Sequence, residues 1–190
     1  YHPRMKQRIA SELSALPRGG GQAGTVGLLI MRSYAIAGNA GHYDGVIAAL
    51  EARGLRVIPA FASGLDARPA VERFFMAESP AMKRLMADVK LVAPTEGRVR
   101  FFMAEGRPTI DALVSLTGFS LVGGPAYNDA RSAEEMLAAL DVPYIAAHPV
   151  EFQTLEQWAS SDRGLMPVEN TMMVAIPELV ADGQAGAEVE

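Results

Sequence analysis

The residues that could do chemistry are few, and their value depends on where predicted strands end. Three histidines are present, His2, His42 and His148, and no two have the i, i+4 spacing that puts metal ligands on one helix face. His148 follows an apolar run at 144–147, at the strand end where open α/β sheets bind ligands. His42 stands at the start of a predicted helix, and its two readings are a ring facing the crevice and a capping or exposed ring. Arg32 closes the apolar run at 25–34 on the same side, where a guanidinium could pair with a carboxylate or phosphate; the bland alternative is an ion pair with Asp44 or Glu51. Gly123, Gly124, Tyr127 and Asn128 lie in Gly123-Gly124-Pro125-Ala126-Tyr127-Asn128, which reads either as a ligand-lining loop or as a tight turn. Glu151 and Glu169 fall in predicted loops, whereas most other carboxylates read as solvated.

Several chemistries are excluded or disfavoured. There is no cysteine, so disulfides, thiolate metal sites and a cysteine nucleophile are ruled out. No Gly-x-x-x-x-Gly-Lys-Ser/Thr and no strand-linked Gly-x-Gly-x-x-Gly occurs, which argues against nucleotide hydrolysis by this chain alone. Ser115 and Ser120 flank Gly118, but Thr117-Gly118-Phe119-Ser120-Leu121 is not a nucleophile elbow, and a hydrolase is disfavoured. The formal net charge of -5 and the scattered basic residues give no footprint for nucleic acid or an anionic membrane. No apolar run reaches the roughly 20 residues needed to span a bilayer. Phe152 and Trp158 read as core anchors rather than a stacking platform.

Those residues need a scaffold, and the pattern supplies one. Apolar residues make up 49% of the 190, enough for a real core. Met5, Ile9, Leu13 and Leu16 predict an amphipathic helix over 4–16, followed by a flexible Gly-rich linker to residue 24. Strands are predicted at 25–34 and 55–62, with a helix at 42–53 between them that Gly54 stops. A helix follows at 68–76 with Pro69 in its first turn, then a strand at 110–116 and a helix at 130–140. A strand at 144–147 and a helix capped by Thr154 come next. Residues 168–174 read as helical and 175–179 as an edge strand carrying Pro177. Alternating β and α imply a mostly parallel sheet with helices on both faces, of the Rossmann or flavodoxin-like kind. The motif Phe-Phe-Met-Ala-Glu occurs at 74–78 and again at 101–105, which marks 79–100 as an insertion. The expected organisation is therefore 1–24 helix and linker, 25–180 α/β domain, and 181–190 flexible tail. The opening Tyr1-His2-Pro3-Arg4, without an initiator methionine, leads us to expect an excised piece.

Longer stretches carry a resemblance. They are Val26-Gly27-Leu28-Leu29-Ile30-Met31-Arg32-Ser33-Tyr34, His42-Tyr43-Asp44 with residues 50–66, and residues 113–129. Pro149-Val150-Glu151-Phe152-Gln153-Thr154-Leu155-Glu156-Gln157-Trp158 and Val174-Ala175-Ile176-Pro177-Glu178-Leu179 complete the set. In colinear order over roughly 25–180, the sequence resembles the large porphyrin-binding H subunit of magnesium chelatase and its homologue in cobaltochelatase. Gly-Gly-Pro-Ala-Tyr-Asn-Asp and Ala-His-Pro-Val-Glu-Phe-Gln-Thr look most like the bacteriochlorophyll type. The resemblance implies a segment from the N-terminal half of a subunit that holds protoporphyrin IX while Mg²⁺ is inserted. It implies AAA+ partner subunits, I and D, that hydrolyse ATP, and no resident cofactor in this segment. A cytoplasmic location, peripheral to photosynthetic membranes, is the corresponding expectation. It also implies that the helix at 74–78 runs almost directly into the strand near 107–112, with 79–100 added between them. Arg32, His42, Gly123, Gly124, Tyr127, Asn128, His148 and Glu151 are the candidate substrate-binding residues; no catalytic residue is assigned. The alternatives are a cobaltochelatase subunit acting on a corrin precursor and a non-catalytic docking or scaffold module.

Overall fold

The structure is a computed structural model that describes residues 1–62, 64–77, 107–124, 127–147 and 153–167. Its centre is β1 (Gly24–Leu29), whose apolar run pairs in parallel with β2 (Leu55–Ala60) over six residues and with β5 (Ala112–Ser115) over four. Strand β8 (Tyr144–Ala146) adds to β5, also in parallel. The sheet order is β2-β1-β5-β8. Counted along the described residues, the strands of this sheet run in the order 2-1-3-4, the flavodoxin-like arrangement.

Neighbouring residues of β1 serve opposite faces, as the pleat requires. Leu28 joins Tyr43, Ile47 and Val57 in one cluster, whereas Leu29 joins Ile58, Phe75, Leu113, Met136 and Leu140 in the other. Both faces are covered, so the strand reads as a continuous apolar run rather than an alternating one. The first face carries α1 (Arg32–Ala37) and α2 (Gly41–Glu51), and the second carries α3 (Arg68–Phe75) and α4 (Ala130–Leu140).

Gly27 lets side chains pack directly on the backbone of β1. A Cβ there would stand 2.8 Å from Ile110 Cδ1 and 3.1 Å from Phe75 Cε1, and Phe75 is fully buried. Beyond α3, β3 (Met76–Ala77) pairs antiparallel with β4 (Arg107–Pro108), and the Thr109 amide donates to the Phe75 carbonyl at 2.7 Å. The ends of the segment holding 79–100 thus meet on adjacent strands, while residues 79–100 themselves, the 168–179 elements and the tail lie outside the described residues.

Three expectations are corrected. The helix over 4–16 does not form; only a 3-10 turn, Leu13–Ala15, appears. The segment is instead a strap anchored by side chains on α2. Arg4 and His2 meet Glu51, and Arg8 and Tyr1 meet Asp44. The Gly-rich stretch after it is tied down as well, since the Gly21 and Ala23 amides both donate to the Gly54 carbonyl. The first strand is shorter than expected, ending at Leu29, so Arg32 sits in the first turn of α1 rather than at a strand end.

Two outcomes test this packing. Gly27→Ala is expected to destabilise the chain by about 1–3 kcal/mol, because the added methyl overpacks a filled core. Ile110→Val in the same chain should recover part of the loss, read from urea midpoints. His2 is buried, which pushes its pKa below the ordinary value; Glu51 pulls upward and Arg4 downward, and burial wins. A depressed histidine pKa means the unfolded chain binds more protons, so stability should fall as pH drops below about 6.5. His2→Gln should flatten that slope in urea unfolding measured between pH 7.5 and 5.

Candidate functional site

Because β2 and β5 flank β1 on opposite sides, the connections leaving β1 and β5 part company at their C-terminal ends. An open α/β sheet places its crevice at such a switch point. A cleft of about 220 Å³ lies there, lined by Leu29 to Ser33 after β1, Phe61 and Ala62 after β2, and Ser115, Thr117, Phe119 and Ser120 after β5.

Hydroxyls build the β5 side. Ser115 is buried, and its Oγ lies 3.0 Å from Thr117 Oγ1. Thr117 Oγ1 in turn accepts from the Phe119 amide at 3.3 Å and reaches the Phe119 carbonyl at 3.3 Å, closing the turn around Gly118 (φ +71°). Ser120, also buried, places its Oγ 3.0 Å from both the Val122 carbonyl and Asn128 Oδ1. These hydroxyls are engaged with one another and with backbone, so they form a polar wall of set orientation. On the opposite lip, Arg32 and Ser33 make no side-chain hydrogen bond or ion pair among the described residues.

The adjoining glycine segment is a small hairpin. β6 (Gly123–Gly124) pairs antiparallel with β7 (Tyr127–Asn128), and Ser120 ties Asn128 to the cleft wall. Its base is stitched to the turn before α3. The Gly123 amide donates to the Leu65 carbonyl at 3.1 Å, and the Ala67 amide to the Leu121 carbonyl at 2.9 Å. Asp66 holds that turn by accepting from the Arg68 amide at 3.0 Å and from its guanidinium at 2.7–3.1 Å. Asp129 caps α4 through the Ser132 amide and hydroxyl, and those hydrogen bonds hold its carboxyl below the usual range. On α3, burial pushes the Glu72 carboxyl upward against the pull of Arg68, and its Oε1 has no hydrogen-bond partner among the described residues.

The sequence-predicted residues are therefore divided. Arg32 lines the cleft. The alternative ion pairs suggested for it are taken by others, Asp44 by Arg8 and Glu51 by Arg4. His42 is exposed and lies against Tyr34 (5.4 Å between centroids, edge-on) and Tyr43 (3.9 Å), outside the cleft lining. Gly123, Gly124, Tyr127 and Asn128 form the backbone of the neighbouring hairpin, with Asn128 tied to the cleft wall by Ser120. His148 and Glu151 lie outside the described residues. Sequence reasoning does not single out Ser33 and Thr117; their places just past predicted strand ends are the available signal. Among the described residues no three His, Asp or Glu side chains converge as metal ligands, and no helix is long and apolar enough to cross a membrane. A second cleft, about 320 Å³, lies between the strap and β2, but its ionic pair Arg73–Glu12 is closed on itself at 2.8 Å.

The sheet order and its switch-point cleft define an open α/β unit. The family model CobN/Magnesium Chelatase matches residues 1–185, and the chain belongs to that family. It is 50% identical over 179 residues to the magnesium-chelatase H subunit of Cereibacter sphaeroides, covering 94% of this chain and 13% of that protein. It is 43% identical over 157 residues to the chloroplastic magnesium-chelatase ChlH subunit of Oryza sativa subsp. indica, covering 83% of this chain and 10% of that protein. A solved structure, "Catalytic Subunit of Cobaltochelatase from Mycobacterium tuberculosis", is 23% identical with a TM-score of 0.49, over 86% of this chain and 12% of that one. The chain thus spans about an eighth of the length of the curated relatives it matches.

Ser120→Ala should cost about 1 kcal/mol, the worth of a typical net hydrogen bond. Amide hydrogen exchange should quicken at Gly123 and Asp129, which the hairpin base protects, and stay unchanged in β1.

Proposed function

We propose that this chain is a segment of the H-type, porphyrin-binding subunit of a magnesium chelatase, serving chlorophyll or bacteriochlorophyll synthesis. The observation that carries the reading is 50% identity to a magnesium-chelatase H subunit across nearly the whole chain, within a family match over residues 1–185. The complete subunit would hold protoporphyrin IX while Mg²⁺ replaces its two pyrrole protons. ATP would be hydrolysed by AAA+ partner subunits, I and D, since this segment carries no phosphate-binding loop of its own. The work would take place in the cytoplasm, beside photosynthetic membranes.

Insertion needs groups that strip water from Mg²⁺ and groups that accept protons. Among its described residues the cleft offers a cation and hydroxyls instead of converging carboxylates. Its chemistry suits binding and orientation of substrate, with metal delivery and proton removal assigned to the remainder of the subunit. The magnesium reading is favoured over the cobalt one because the magnesium-chelatase relatives share 43–50% identity with the chain.

The test uses the full-length subunit with I and D partners, ATP, Mg²⁺ and deuteroporphyrin. A time-dependent rise of magnesium-porphyrin fluorescence that requires every component is the expected result. Inactivity with Mg²⁺, coupled with ATP-dependent Co²⁺ insertion into a corrin precursor, would reassign the protein to the cobalt branch. Wild-type binding of porphyrin should quench tryptophan emission saturably; porphyrin binding unaltered when this α/β segment is deleted from a folded subunit would leave it a docking role.

A further inference from the structure

The cleft at the switch point is too small for a macrocycle and has a particular chemistry at its lip. Sites that enclose drug-sized ligands hold roughly 300–1,000 Å³, and this one holds about 220 Å³. Its walls are apolar at Leu29, Phe61 and Phe119 and hydroxyl-bearing at Ser115, Thr117 and Ser120, all three of which are already hydrogen-bonded. Two adjacent donors have no partner among the described residues, the Arg32 guanidinium and the Ser33 hydroxyl. Asp44 and Glu51, the acids that the sequence offered as partners for Arg32, pair instead with Arg8 and Arg4 of the strap. No carboxylate is among the described lining residues.

We propose that this cleft is a carboxylate pocket: Arg32 and Ser33 bind one carboxylate-bearing side arm of the substrate, and the ring to which the arm belongs stays outside. The inference rests on the porphyrin-binding reading above and deepens it by saying which part of the ligand this segment holds. Arginine suits the role because it stays charged at any physiological pH and presents a planar fork to both carboxylate oxygens. Ser33, next in the chain, supplies a third donor. The apolar walls accept the methylenes of the arm, and the hydroxyl wall leaves no unsatisfied polar group when water is expelled.

The experiment compares two probes on the full-length subunit, deuteroporphyrin with free acid arms and its dimethyl ester, by fluorescence titration. Wild type should bind the acid more tightly than the ester. Arg32→Ala should weaken the acid about tenfold or more and leave the ester within a factor of two, the scale of one charge-assisted contact. Arg32→Lys should restore part of the loss, because the charge survives and the fork does not. Arg32 is exposed, so the variants are expected to fold, and circular dichroism checks this. Equal weakening of acid and ester by Arg32→Ala would overturn the pocket, as would no weakening of either; in both cases porphyrin binding by the subunit stands. Failure of wild type to bind either porphyrin would overturn the functional reading and the pocket together.

Discussion

Phe75 lies against the bare backbone of Gly27, and that contact sets the position of everything on one face of the sheet. A side chain at residue 27 would hold α3 away from β1 and displace Ile110, which leads into β5. With Phe75 seated, the Thr109 amide reaches its carbonyl, and β3 and β4 can pair directly behind it. The other end of α3 is set by the same seating. Asp66 closes the turn there and bridges Val122, from which the glycine hairpin and α4 follow. Cleft geometry is therefore inherited from a packing contact at the opposite end of α3.

The other face depends on charge. Arg4 and Arg8 meet Glu51 and Asp44, seven positions apart on α2, or about 10.5 Å along its axis. Four residues in a helix advance only about 6 Å, so an extended strap matches the two acids better than the helix that the apolar spacing suggests. A helix of a dozen residues is also marginal by itself in water. Tyr1 and His2 then bury against α2 and β2, offsetting the apolar face that the helix would have presented. Local periodicity was legible here, and the competing long-range ion pairs were not.

The alternation of strands and helices, the covered β1 and the limits of α4 could be read directly, because each ends in a residue with a mechanism. Gly54 adopts positive φ after α2, Asp129 caps α4, and Thr154 with Gln157 forms a capping box on α5 (Leu155–Ala159). The site was only partly legible. Arg32 lines the cleft as its position suggests, yet the apolar run at 25–34 overstates the strand by five residues at its end, since such a run does not show where it turns into a helix. His42 was ambiguous from sequence, and aromatic neighbours on α1 and α2 hold it outside the cleft. Ser115 and Ser120 read as nucleophiles without a motif; their role as wall groups, bonded to Thr117 and to Val122 and Asn128, depends on the Gly118 turn, which sequence spacing does not describe.

A cleft that takes only one arm of a ligand looks too weak to matter, and the arithmetic of linked contacts answers this. The segment is about an eighth of the length of its relatives, so most of any large ligand's surface would meet other parts of such a protein. Once a ring is held elsewhere, its tethered carboxylate meets Arg32 at an effective concentration in the millimolar range, set by a short arm. A contact that would be negligible for a free carboxylate then selects orientation at little further entropic cost. It requires only that the cation be unpaired beforehand and that its support be rigid. Arg32 meets the first condition among the described residues, and Asp44 and Glu51 are taken by Arg8 and Arg4. The packing of β1 between β2 and β5 satisfies the second, since Arg32 begins only three residues beyond its last sheet residue, Leu29.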